Sequence, residues 1–174
     1  MENIAARLAP IVAHRGASAA APENTLAAIR LAAAEGARWI EVDVKLSRDG
    51  FCILMHDDLL RRTTNGRGEV AQYDLDELKC LDAGSWFARR FAGERIPTLV
   101  ETIELALELG LDLNLELKPC PGRQHETAIA AVETLRRHWP GGRPWPLLSS
   151  FAVASLEEIR LRAPEMPRGL LIGR

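Results

Sequence analysis

Three cysteines in 174 residues (Cys52, Cys80 and Cys120) make an odd count with no CxxC pair. That argues against both a disulfide framework and structural zinc; the reduced thiols of a cytoplasm fit it better. A surplus of positive charge is also lacking. Lys and Arg total 22 against 24 Asp and Glu, so no basic surplus exists to drive nonspecific nucleic-acid binding. No stretch approaches the ~18 apolar residues of a membrane span. Arg7 falls too early to leave room for a signal peptide's apolar region. No internal repeat or linker divides the chain, whose length suits one domain at the usual ~150 residues each. What remains is ordinary globular material, 47% hydrophobic and 26% charged, which excludes disorder.

The apolar runs alternate short and long, the mark of β-α units around a parallel sheet. Residues 11–14 make a short run, followed by a Gly/Ala/Pro loop. A helix is expected over about 25–35, with Asn24 as its N-cap and Gly36 as its stop. Strands are expected at 39–46 and 51–56, joined by the turn Ser47-Arg48-Asp49-Gly50. The polar segment 57–98 is long enough to be functional or a small subdomain. Within it, Asp74 and Glu77 have capping-box spacing; Thr98 and Glu101 repeat that spacing ahead of a helix ending at Gly110. Strands at 111–117, 146–150 and 169–172 alternate with helices near 126–138 and 154–162. Six strands with helices between them make most of a (β/α)₈ barrel.

Interior strands of parallel sheets usually read as near-continuous apolar runs. Two strands here do not. In Ile40-Glu41-Val42-Asp43-Val44-Lys45-Leu46, and again in Leu111-Asp112-Leu113-Asn114-Leu115-Glu116-Leu117-Lys118, one face is apolar and the other polar. A solvent-facing strand alternates in the same way. Two such strands in one βα protein, each with a strongly apolar opposite face, favour polar faces turned into the barrel. Glu41 and Asp43 lie about 6.6 Å apart along one face, close enough for both to close on one ion. Glu116, from the second strand, completes a three-carboxylate set. Oxygen ligands with no Cys among them favour one divalent cation, Mg²⁺ or Ca²⁺, over Zn²⁺.

Four histidines are present. His14 ends the first strand and His56 the third, and barrel enzymes place their chemistry at strand C-terminal ends. A lone strand-end histidine is ordinarily structural. Two of them, in a chain that also carries the acid pair, suit the acid and base of an ester cleavage. Arg15 and Lys118 supply positive charge for an anionic substrate. His125 and His138 read as surface residues of helical segments.

These residues resemble the glycerophosphodiester phosphodiesterases. The resemblance rests on Ala13-His14-Arg15-Gly16, Pro22-Glu23-Asn24-Thr25, Glu41-Val42-Asp43, Asp49-Gly50 and His56-Asp57. It continues through Thr64-Asn65-Gly66 with Gly68, Ile96-Pro97-Thr98-Leu99, Glu116-Leu117-Lys118 and Ser150-Phe151, in the family's order over residues 13–151. It implies a TIM barrel in which Glu41, Asp43 and Glu116 bind the metal and His14 and His56 are the acid–base pair. Arg15 and Lys118 would hold the phosphate. The implied substrate is a small-molecule glycerophosphodiester, with glycerol 3-phosphate and an alcohol such as choline or ethanolamine as products. Segment 57–98 resembles the family's insertion after the third strand.

A complete barrel needs at least about 200 residues. A TIM (β/α)₈-type barrel truncated after about six strands is therefore expected, one incomplete domain over residues 1–174. The longer form would add about 60–80 residues, and the open edges invite self-association. Two rival readings stand. A lysophospholipase D or phosphatidylinositol-cleaving relative should show an apolar lip or membrane helix, and none is clear. A non-catalytic remnant should have lost part of the His14, Glu41, Asp43, His56 and Glu116 set, which is intact. A cytoplasmic protein with no nucleic-acid partner and no membrane span is the expectation.

Overall fold

Strands that run parallel need a crossover of a dozen or more residues, whereas a tight turn can join only antiparallel ones. That rule sorts the strands of the computed structural model, which describes Leu8 and residues 10–173; Arg7 lies outside the described residues. Six strands are present among the described residues: β1 (Val12–His14), β2 (Trp39–Leu46), β3 (Cys52–Leu54), β4 (Asp112–Leu117), β5 (Leu147–Ser150) and β6 (Arg168–Leu170). The parallel order is β1-β2-β4-β5-β6, and β3 stands off that path. The turn at residues 47–50 is too short for a crossover, and β3 accordingly runs antiparallel to the upper end of β2, with Val44 opposite Leu54 and Leu46 opposite Cys52. The expected helix between every pair of strands is therefore lacking here. Five parallel strands form the barrel-type arc, three short of the eight in a closed (β/α)₈ barrel.

The helices are α1 (Leu26–Ala34), α2 (Leu75–Lys79), α3 (Leu99–Glu108), α4 (Gln124–His138) and α5 (Val153–Arg162). Both expected capping boxes form, Asp74 with Glu77 and Thr98 with Glu101. The N-cap of α1 is Thr25, whose hydroxyl accepts from the Ala28 N–H at 3.2 Å, and not Asn24. The apolar faces of β2 and β4 (Ile40, Val42, Val44, Leu113, Leu115 and Leu117) pack with Ile29, Ile103 and Leu135 into one core. Segment 57–98 packs on a second, smaller cluster of Ile53, Met55, Leu60, Val70, Leu78, Ala83 and Ile96. No helix among the described residues is long and apolar enough to cross a membrane.

The chain leaves β1 through two residues with positive φ, Arg15 at 57° and Gly16 at 77°. A Cβ at Gly16 would lie 2.7–2.8 Å from the backbone of Ala28 in α1. Gly16→Ala therefore combines a left-handed backbone cost of ~1–2 kcal/mol with a clash against a helix. Its expected result is a melting temperature lower by about 2–8 °C from the backbone cost alone, read in a calorimetric scan. Gly141→Ala is the control, since a Cβ there meets nothing within 4 Å.

Candidate functional site

The register of β2 on β4 sets Asp43 opposite Glu116 and Glu41 opposite Asn114. With a period of two along each strand, Glu41, Asp43 and Glu116 share one face. Ligand oxygens from the three lie within 4.8 Å of one another, and all three residues are buried. One oxygen of each (Glu41 Oε1, Asp43 Oδ1 and Glu116 Oε1) has no hydrogen-bond donor among the described residues. Burial, and then the negative charge of Asp43, push the Glu41 carboxyl up to about 8. Lys118 offsets part of the charge, with Nζ 2.9 Å from Glu116 Oε1 and 3.9 Å from Asp43 Oδ1. The shorter contact is an ion pair out of hydrogen-bond alignment, so Glu116 Oε1 faces a cation but accepts no hydrogen bond among the described residues. Buried carboxylates left this way are costly unless a cation completes them. All-oxygen ligation suits a hard divalent ion.

Asn24 does different work from capping. At φ 56° its Nδ2 donates to Asp43 Oδ2 at 2.8 Å, and its Oδ1 accepts from the Asp43 N–H at 3.1 Å. This two-way clamp fixes which Asp43 oxygen remains free. Groups that orient a metal ligand typically carry 10–100-fold in affinity. Asn24→Ala is expected to weaken Mg²⁺ or Ca²⁺ binding by about that factor in isothermal titration, without unfolding the chain.

Arg15 donates its backbone N–H to Glu41 Oε2 at 3.1 Å and its Nη1 to Glu23 Oε1 at 2.8 Å. Its Nε lies 3.1 Å from Asp43 Oδ2, again out of alignment. His14 is exposed at the end of β1, with Nε2 3.8 Å from Glu41 Oε2. Partial burial, and then the Arg15 charge, lower its pKa. His56 arrives by a different route. Because β3 is antiparallel, the chain runs back down the edge of β2, and the Met55 N–H reaches Asp43 C=O at 3.0 Å before His56 follows. His56 Nδ1 then contacts Asp57 Oδ1 at 2.6 Å.

A cleft of about 940 Å³ opens beside the carboxylates, lined by His56, Asp57, Arg62, Glu116, Lys118 and Phe151 among others. His14 is not among its lining residues. Lys118 Nζ sits 5.6 Å from the centre of the Phe151 ring. The buried thiols are poor nucleophiles, since burial pushes Cys52 up to about 12 and raises Cys120 as well. The residues that sequence reasoning missed as site members are Asn24, Glu23, Asp57 and Arg62. Asp57 had a signal in its place after His56; Arg62 had none, lying in a run that reads as an ordinary polar loop.

An α/β barrel arc whose parallel strands carry a buried acid cluster, able to hold a hard cation, defines the class: a barrel protein with three converging carboxylates. The chain belongs to the glycerophosphoryl diester phosphodiesterase family, whose model matches residues 14–174. It is 41% identical over 165 residues to a glycerophosphodiester phosphodiesterase of Caldanaerobacter subterraneus subsp. tengcongensis, covering 92% of this chain and 65% of that one. Among solved structures it resembles an Oleispira antarctica phosphodiesterase in complex with the product sn-glycerol-3-phosphate. The TM-score there is 0.94 at 47% identity, over 97% of this chain and 68% of the other. A glycerophosphodiester phosphodiesterase from Agrobacterium tumefaciens gives a TM-score of 0.77 at 36% identity, over 92% and 66%. This chain thus spans about two thirds of the length of these relatives.

Proposed function

We propose that this site serves metal-dependent hydrolysis of glycerophosphodiesters to sn-glycerol 3-phosphate and an alcohol, in the cytoplasm. The observation that carries the reading is the set of three buried carboxylate oxygens that accept no hydrogen bond among the described residues, beside a cleft holding His56 and Lys118. The product bound in the Oleispira antarctica relative supports the substrate class.

Glu41, Asp43 and Glu116 would hold one Mg²⁺ or Ca²⁺. When bound, that ion supplies Lewis-acid polarisation of a phosphoryl oxygen. Arg15 and Lys118 hold the phosphate by charge. His14 and His56 move the protons: one removes a proton from the attacking hydroxyl and the other delivers one to the departing alcohol oxygen. Each such transfer is worth roughly 10²–10⁴ in rate. With Nδ1 of His56 occupied by Asp57, Nε2 is the atom left for that work. Titrating the 174-residue chain with sn-glycerol 3-phosphate in the presence of Mg²⁺ or Ca²⁺ tests the site. Saturable binding is expected, lost on chelation and in Glu116→Gln. Equal binding with and without cation would overturn the reading.

We also propose self-association through the sheet edges. β1 and β6 end the order, and Ile11, Leu170 and Ile172 are exposed beside them. Unpaired edge groups invite further strands. Sedimentation of the 174-residue chain should show concentration-dependent association; a monodisperse monomer would refute it.

A further inference from the structure

Neighbouring side chains in an extended strand point to opposite faces, yet His56 and Asp57 touch at 2.6 Å. The chain bends at residues 56–58, which brings the two together, and an outside group holds the carboxylate. That group is Arg62. Its Nε donates to Asp57 Oδ2 at 2.6 Å and its Nη2 to Asp57 Oδ1 at 2.9 Å. The opposite edge of the same guanidinium donates to both oxygens of Glu23, at 2.7 and 2.8 Å. Glu23 in turn takes Arg15 at 2.8 Å. A continuous run of charge-assisted bonds thus joins His56 to Arg15 through Asp57, Arg62 and Glu23.

We propose that Arg62 is a positioning residue: anchored on Glu23, it fixes Asp57, which holds His56 as the Nδ1–H tautomer with Nε2 free in the cleft. Three observations carry this. Four of the five N–H donors of a guanidinium are spent on Asp57 and Glu23, leaving little with which to grip a ligand. The two bidentate contacts need a planar fork, which lysine does not have. Asp57 and Glu23 are both held as carboxylates. Arg62 and then His56 keep Asp57 far below its usual range. Glu23, which burial alone would raise, is brought below its usual range by hydrogen bonds from Arg62 and Arg15. A charged Asp57 accepts the Nδ1 proton, and which nitrogen carries the proton decides which one can act.

The inference rests on the reading of His56 as a proton-transfer group, but its test needs no substrate. The probe is ¹⁵N NMR of the imidazole nitrogens in the 174-residue chain at alkaline pH, with His56→Gln used to assign the His56 signals. Wild type is expected to show His56 as the Nδ1–H tautomer. Arg62→Lys keeps the charge but not the fork, and Glu23→Gln removes the anchor. Each is expected to lose that preference while cation affinity stays within about threefold, since neither residue is an orienting partner of the three carboxylates. Retention of wild-type His56 shifts in either folded variant would overturn the proposal. So would a wild-type His56 in the Nε2–H form. A failed turnover assay with these shifts as expected would count against the proposed reaction and not against the role of Arg62.

Discussion

Asp43→Asn is expected to abolish specific binding of Mg²⁺ or Ca²⁺, reducing affinity by at least about 100-fold. Asp43 is wholly buried between the two glutamates, and its Oδ1 is one of the three oxygens that accept no hydrogen bond among the described residues. The substitution removes a full charge and leaves a neutral amide, a weaker ligand for a hard cation than a carboxylate. The effect is readable as stability. A ligand at 100 times its dissociation constant raises unfolding free energy by about 2.7 kcal/mol, so wild type should melt higher as cation is added and Asp43→Asn should not. Glu104→Gln, on the exposed side of α3, should keep the wild-type response. An undiminished shift in Asp43→Asn would show that the ion binds elsewhere.

The second large effect is on turnover. His56→Ala should lower kcat by roughly 10²–10⁴ while leaving cation affinity intact, because a proton-transfer group contributes that much in rate. The fair vehicle is this chain continued by the remaining C-terminal part of the Oleispira antarctica phosphodiesterase, of which it already covers 68%. His56 lines the cleft and meets none of the three carboxylates in a hydrogen bond or ion pair within the described residues. Near wild-type turnover in this variant would make His56 structural.

Where a local rule acts alone, the sequence was legible. The alternation in β2 and β4 separated an apolar helix-facing side from a polar one, and so put Glu41, Asp43 and Glu116 on one face before any register was known. The two capping boxes were readable for the same reason, being closed within four residues. Where distant parts compete, it was not. Asn24 and Thr25 are both good N-caps; Asn24 is diverted by Asp43, a partner 19 residues away. The Glu23–Arg62 contact spans 39 residues and leaves no periodic trace. The sequence points to His56 through a strand end equivalent to that of His14. The structure brings it to the cleft in a bend just past an antiparallel strand instead, and the four-residue turn at 47–50 already demanded that strand's direction.

The measurement that bears most directly on the proposed reaction is ³¹P NMR of glycerophosphocholine incubated with that continued chain. With Mg²⁺ or Ca²⁺ present, the diester resonance should be replaced by that of sn-glycerol 3-phosphate as choline is released, and chelation should stop the conversion. An unchanged diester resonance with cation present, or phosphocholine and glycerol as the products, would contradict it.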